Sequence, residues 1–311
     1  MKKVYLSIVI CTYNRSDYLS LCLNSLTPQL SDNNNVEIIV VDNNSSDNTK
    51  KIVQKIQKEV PFLTYIFEPK QGLSYARNRG GEAARGTYIG YVDDDAIVEE
   101  NFIKRALNTI KKHDFDLFGG KVMPWFKYGQ PRWLSDNYDS NLSPEVTTGK
   151  TGDWGALWGG VLFVKKEVFI KIGKFRTDLG MGQEMGYGED TNFVQSAYNE
   201  KYQLGVNPNV IIYHLIRKEK MKLSWHFHSI YCKGRDTIGL TGKENTIRLL
   251  YDGLMDTIKR GIVGMKHLLF KSNYYWESYL LYVLKPLSFN LGKIVGGIKY
   301  RKRRVNESST I

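Results

Sequence analysis

Apolar, β-branched runs that stop abruptly at polar or acidic clusters constrain this chain most. Residues 6–10, 36–41, 62–67 and 87–92 are such runs. Between them, residues 17–26 repeat leucine at helical spacing (Leu19, Leu23, Leu26), with Ser16 placed to cap. A second helix is expected from near Asp47, behind the turn cluster 42–46, and a third over 73–84. A helix over 99–111 and a strand over 116–122 continue the series. Strand and helix alternating at this spacing build βαβ units around a mainly parallel sheet. Strands apolar throughout belong to a sheet covered on both faces. Ligands of open α/β sheets sit beyond the carboxyl ends of the strands. Thr12–Arg15, Asp42–Ser46 and Asp93–Asp95 all fall there.

The remainder is less regular. Residues 124–153 mix Trp, Tyr, Pro and Ser without period, and Gly159-Gly160 precedes a strand ending near Val164. Residues 180–188 (GMGQEMGYG) form a glycine loop before Glu189-Asp190 and a helix to Glu200. Residues 203–206 and 210–213 read as two short strands, the second ending at His214. After about residue 220 the pattern turns helical, basic and aromatic.

Composition narrows the class. With 42% hydrophobic and 24% charged residues, the 311-residue chain is neither disordered nor a multi-span membrane protein. Lys2 and Lys3 precede a seven-residue apolar run that imitates a signal peptide but lacks a cleavage site, and it ends as a buried strand should. No run of 18 apolar residues exists to span a bilayer. Cys11, Cys22 and Cys232 form no disulfide framework and no zinc pattern, which points to a reduced, cytoplasmic setting.

Asp93-Asp94-Asp95 is the sharpest chemical feature. Three adjacent carboxylates repel one another and lose hydration at a strand end, a cost that a hard divalent cation relieves. Residues i and i+2 point the same way along a strand, so Asp93 and Asp95 share one direction and Asp94 faces elsewhere. Asp190 reads either as a helix-start carboxylate or as a general base beneath the glycine loop. His214 is structural or a third metal ligand; His226 and His228 read as surface or interface residues. Asp42 and Asn44 suit hydrogen bonds to a base or ribose as well as ordinary turn chemistry. Arg77, Arg79 and Arg85 offer phosphate-binding forks or a solvated helix face.

In order and separation, LSIVICTYNR (6–15), IIVVDNNSSDNT (38–49), GLSYARNRGGEAARGTYIGYVDDDAIV (72–98) and GYGEDTNF (186–193) resemble glycosyltransferase family 2 over about residues 5–220. The resemblance implies an α/β GT-A fold, a Rossmann-like, mainly parallel central sheet flanked by helices, with a C-terminal helical extension. It implies a catalytic domain over 1–220, its nucleotide-sugar part about 1–122 and its acceptor part about 123–220, and a basic extension over 221–311. The implied activity is inverting transfer of a sugar from a nucleotide diphosphate, UDP-linked most of all, to a hydroxyl of a glycan or lipid-linked acceptor in surface-polysaccharide synthesis. The implied cofactor is Mn²⁺ or Mg²⁺. Residue by residue, Thr12 and Tyr13 would line the base and ribose, Asp42 would contact the base, Arg77 would approach the nucleotide or its phosphates, and Arg15, Asn44, Asp93 and Asp94 would complete the nucleotide site. Asp93, Asp95 and His214 would hold the metal, and Asp190 would be the base. Trp158, Gly159, Gly160 and Glu189 would line the sugar or acceptor.

Two other classes compete. A nucleotidyltransferase needs a glycine-rich loop beside the first strand, and CTYNRSDYLS has no glycine. A nucleic-acid-binding protein would exploit the +12 net charge but leaves the acidic strand ends unexplained. The basicity is concentrated late: residues 241–311 hold 13 Lys/Arg against 5 Asp/Glu. Tyr274 to Leu284 is aromatic and apolar, Lys285-Pro286 is expected to break it, and residues 300–304 are a basic cluster. Such a stretch suits the anionic inner face of a membrane, or packing on the catalytic domain or a second subunit.

Overall fold

The structure is a computed structural model. It describes residues 3–30, 35–136, 138–143, 146–183, 186, 188–241, 245–271 and 274–308, with the backbone alone for 238–241 and 299–308. Glu184, Met185 and Tyr187 of the glycine loop, and the side chains of the basic cluster 300–304, lie outside the described residues.

The chain forms two compact units. The first comprises Met1–Trp125, Asp139–Glu184 and Glu189–Leu215. Its strands are β1 (Leu6–Thr12), β2 (Val36–Asp42), β3 (Leu63–Phe67), β4 (Tyr88–Asp93), β5 (Ala96–Val98), β6 (Leu117–Trp125), β7 (Gly149–Lys150), β8 (Val161–Lys165) and β9 (Leu204–Leu215). They form one sheet in the order β3-β2-β1-β4-β8-β6-β9-β5, with β7 beside β9. The β3-β2-β1-β4 half is parallel, as the βαβ spacing requires; β8 joins β4 and β6 antiparallel, and β6 and β9 run parallel.

Helices cover both faces. Leu6, Ile8 and Ile10 point to one face, where α1 (Ser16–Leu26), α2 (Thr49–Gln57) and α4 (Phe102–Lys112) contribute Leu19, Val53 and Phe102. Val9, Ile39 and Val41 point to the other, with α3 (Leu73–Ala83), α5 (Lys166–Lys171) and α6 (Glu189–Asn199). The period-2 alternation of a strand thus divides two apolar cores between two helix layers.

Three local expectations need correction. Residues 203–206 and 210–213 are one strand, β9, whose register against β6 jumps from Gly119↔Val206 to Lys121↔Ile211. Asn207 holds this irregularity by accepting from Asn209 N (2.9 Å) and donating to Thr109 Oγ1 (2.6 Å), so Pro208 lies in a bulge where its missing N–H costs no ladder bond. Ser16 does not cap α1; Arg15 occupies that position and makes no side-chain capping bond. The three-residue strand β5 escaped notice because it is too short to show a period.

The second unit comprises Phe126–Tyr138, Met185–Gly188 and Ile216–Ile311. It is built on α7 (Leu223–Thr241), α8 (Thr246–Phe270) and α9 (Trp276–Ser308). Pro286 does not break its helix; it sits inside α9. His226 is buried rather than on the surface, edge-on to Trp133 and Tyr138, with Nε2 2.7 Å from the Lys220 carbonyl. Among the described residues no helix is long and apolar enough to cross a membrane.

Candidate active site

The parallel half of the sheet aligns the carboxyl ends of β1, β2 and β4, and the polar clusters meet there. Thr12 pairs with Asp42 in register, and Cys11 with Asp93. The loops after β1 and β2 are stitched together: Asn14 N donates to Ser45 Oγ (2.9 Å), and Ser46 N donates to Asn14 Oδ1 (2.8 Å). Asn14 (φ 51°) and Asn44 (φ 67°) take the left-handed conformation that asparagine tolerates. Asp42 is buried, its carboxylate accepting from Ser45 N (2.8 Å) and the Tyr65 hydroxyl (2.8 Å). Tyr13 is exposed beside this loop pair.

The three acids after β4 are not equivalent. Asp94 and Asp95 are both buried, and Arg15 Nη1 bridges them at 2.9 and 3.3 Å. Burial opposes the charge on Arg15, but Asp94 and Asp95 outweigh it and hold the guanidinium protonated. Burial pushes the Asp94 carboxyl up to about 6 against the pull of Arg15. Asp93 is more open and faces Arg77 Nη2 at 3.6 Å.

His214 arrives by register. The short strand β5 pairs antiparallel with β9, placing Ala96 opposite His214, and Leu215 N donates to the Asp95 carbonyl (2.9 Å). His214 Nε2 lies 3.1 Å from Asp95 Oδ1, and Nδ1 lies 2.9 Å from Asp139 Oδ2. One ligand atom each from Asp93, Asp95 and His214 falls within 4.8 Å of the others. Two carboxylate oxygens and an imidazole nitrogen, the ring oriented by a further carboxylate, form a donor set that fits a divalent cation such as Mn²⁺.

Asp190 stands one turn away. Gly159 N donates to Asp190 Oδ2 (2.9 Å) and Thr191 N to Oδ1 (2.7 Å), fixing the carboxylate while leaving lone pairs free. A Cβ on Gly159 would sit 2.8 Å from Asp190 Oδ2, and one on Gly160 would sit 2.7 Å from Asp93 Oδ2. The glycine pair therefore lets a single turn pass between the base candidate and the metal-ligand candidate. Trp158 braces this turn, donating from Nε1 to the Gly155 carbonyl (3.1 Å).

Arg77 ties the halves together. It is 4% exposed, bonded to Glu189 at 2.5 Å and facing Asp93, with its guanidinium over the Phe175 ring. Burial disfavours its charge, and Glu189, then Asp93 and Asp190, more than restore it. Glu189 is itself buried, its pKa raised by burial and by Asp190 against Arg77. Both are more deeply buried than Asp93 and Asp190. Arg85 pairs with Glu37 at the amino end of β2, and Arg79 is exposed, so neither joins the cluster. The glycine loop is pinned at its start: Leu73 N donates to the Met181 carbonyl (3.0 Å) and Ser74 Oγ to the Leu179 carbonyl (2.8 Å). Gly180, Gly182 and Gly188 hold positive φ.

Asp139 and Asn43 escaped sequence reasoning. Asp139 sits in an aperiodic stretch at φ 63°, with nothing local to mark it. Asn43 clamps the loop before α3, donating to the Lys70 carbonyl (2.6 Å) and accepting from Gly72 N (2.8 Å). In the sequence it is one more residue of the turn cluster 42–46.

The family model described as glycosyl transferase family 2 matches residues 7–173. The chain is 29% identical over 216 residues to glycosyltransferase AglE of Haloferax volcanii, covering 68% of this chain and 67% of that protein. It is 22% identical over 228 residues to the succinoglycan biosynthesis protein ExoM of Rhizobium meliloti, covering 71% and 70%. Among solved structures, the mannosyltransferase PcManGT of Pyrobaculum calidifontis, in complex with GDP-Man and Mn²⁺, superposes with a TM-score of 0.62 at 15% identity, covering 94% of this chain and 88% of that one. S. aureus TarS 1-349 in complex with UDP gives 0.56 at 17% identity, covering 96% and 92%. These structural likenesses establish the fold alone. With a matching family model over more than half its length and the sheet just described, the chain belongs to glycosyl transferase family 2 and is a glycosyltransferase of the GT-A fold.

Proposed function

We propose that this chain transfers a sugar, with inversion, from a nucleotide diphosphate sugar to a hydroxyl of a glycan or lipid-linked acceptor in surface-polysaccharide synthesis. The carrying observation is the meeting of Asp93, Asp95 and His214 within 4.8 Å, with the Asp190 carboxylate across the Gly159-Gly160 turn. Asp93, Asp95 and His214 are the residues that would hold a divalent cation. Bound there, Mn²⁺ or Mg²⁺ supplies Lewis-acid stabilisation of the departing diphosphate.

The chain's own residues do the rest. Asp190 takes the proton of the acceptor hydroxyl, whose oxygen forms the new bond to the anomeric carbon as the bond to the diphosphate breaks on the opposite face. Gly159 N and Thr191 N hold that carboxylate in one orientation. Arg77 and Glu189, both buried, fix the start of α6 relative to the end of β4. The stitched loops after β1 and β2, with exposed Tyr13 and Asn44, offer the nucleoside its platform. No covalent nucleophile is needed, in keeping with single displacement. The unit holding these residues is the transferase unit on this reading, and a nucleotide donor together with three free cysteines supports a location on the cytoplasmic side.

The names of relatives support the polysaccharide setting: ExoM is a succinoglycan biosynthesis protein. The donor reading is supported by TarS, solved with UDP and with UDP-GlcNAc, and by PcManGT, solved with GDP-Man and Mn²⁺. A thermal-shift screen of nucleotide sugars with and without Mn²⁺ tests the reading. One donor is expected to raise the Tm in a metal-dependent way. No metal-dependent shift with any donor would sink it.

A further inference from the structure

α8 has two opposite faces of different character. One is buried with α9: Leu249, Gly253 and Gly264 are covered, Asn290 Nδ2 donates to the Leu249 carbonyl (3.0 Å), and Arg260 lies over the Tyr282 ring. The other carries Ile247, Tyr251, Leu254, Ile258, Ile262 and Leu269, spaced three, four or seven apart and all exposed, with Ile247 at 78% and Leu269 at 68%. At 1.5 Å per residue this stripe runs about 33 Å along the helix. Isolated exposed leucines need no explanation, but a stripe of this length does.

The stripe's edges suggest its partner. Arg248, Lys259 and Lys266 project on one side of it at helical spacing, and all three are exposed. Lys259 and Lys266 form no ion pair among the described residues, whereas Arg248 lies 3.6 Å from Asp252. Asp252 and Asp256 are set farther round the helix, away from the apolar residues. An apolar stripe with a cationic edge and acids withdrawn is complementary to an anionic lipid surface. A helix with six charged residues in 25 lies on such a surface and does not cross it. Phe270 (84% exposed) at the end of α8 and Trp276 (58%) at the start of α9 add aromatic residues suited to the headgroup level.

We propose that α8 is the membrane-docking element of this protein, lying in the headgroup region of an anionic leaflet with Ile258 and Ile262 inserted and Lys259 and Lys266 on the lipid phosphates. The inference gives the acceptor side of the transfer reading a physical location, yet it stands or falls on its own measurement.

The test is flotation of the full chain with vesicles of phosphatidylcholine alone and of phosphatidylcholine and phosphatidylglycerol in equal parts. Wild type is expected to float with the anionic vesicles and not with the neutral ones. Ile258→Glu/Ile262→Glu should lower the vesicle partition coefficient at least about tenfold, because two exposed side chains lose their apolar burial without disturbing the core. Lys259→Gln/Lys266→Gln should lower it about thirtyfold, and added salt should mimic that loss. An unchanged Tm and an unchanged donor-induced thermal shift in these variants separate docking from folding and from the transfer reading. Flotation of the double isoleucine variant at the wild-type level would overturn the proposal. So would a wild type that never floats, including one that forms a dimer split by Ile258→Glu, which would assign the stripe to a second copy.

Discussion

The strand-end cluster of the sheet unit and the helix α8 of the other unit use charge and apolar surface in opposite ways. At the strand ends, Asp94, Asp95, Arg77 and Glu189 are buried, and each carboxylate faces a cation or an imidazole: Asp93 faces Arg77, Asp94 faces Arg15, Asp95 faces Arg15 and His214, and Glu189 faces Arg77. On α8, Ile247, Leu254, Ile258, Ile262 and Leu269 face outward and Lys259 and Lys266 are solvated. Buried charges are costly unless paired, so a group that keeps them needs their positions fixed. Exposed apolar side chains cost little one by one, so a stripe of them persists where a partner covers it. The contrast separates a region where displacement by an ångström matters from one where area and charge matter.

The contrast is sharpened first by Asp190→Asn. It should lower the turnover number by two to four orders of magnitude, as expected of an Asp190 general base (about 10²–10⁴-fold), with donor binding retained. Isothermal titration with the donor and a turnover assay separate the two; lost donor binding would move Asp190 out of the acceptor side. Next, Asp95→Ala should abolish most of the Mn²⁺ dependence of donor binding. The smaller Asp139→Asn should weaken Mn²⁺ binding about 10–100-fold through the loosened His214 ring, read by direct titration of the metal. Gly159→Ala should cost about 10²-fold in turnover with little change in donor affinity, since its Cβ would press on the Asp190 carboxylate. Arg77→Met should remove about 3–5 kcal/mol of stability by leaving buried Glu189 unpaired, measured by denaturant unfolding. A solvated change on α8, such as Lys259→Gln, should leave stability within about 0.5 kcal/mol. Equal losses from Arg77→Met and Lys259→Gln would erase the distinction.

Much of the candidate site was legible because its residues stand beside punctuation that sequence reveals. Asp93–Asp95 follow an apolar run, Asp190 follows a glycine loop, and His214 ends a strand. What escaped was whatever depended on partners distant in sequence. Asp139 reaches His214 across 75 positions, and Arg77 reaches Glu189 across 112. Arg77 has the composition of a phosphate ligand, and only the tertiary structure shows its guanidinium between the carboxylates of Glu189 and Asp93.

The sequence by itself determined the βαβ alternation, the clustering of polar residues at strand ends and the helical C-terminal region. Period and turn chemistry are local, and they act before any long-range contact exists. Only the tertiary structure decided that β5 would carry Asp95 to His214, that Gly159-Gly160 would let Asp190 stand beside Asp93, and that Pro286 would stay inside a helix. Those outcomes depend on strand register and on how closely two backbones approach, and neither is encoded in any single stretch of residues.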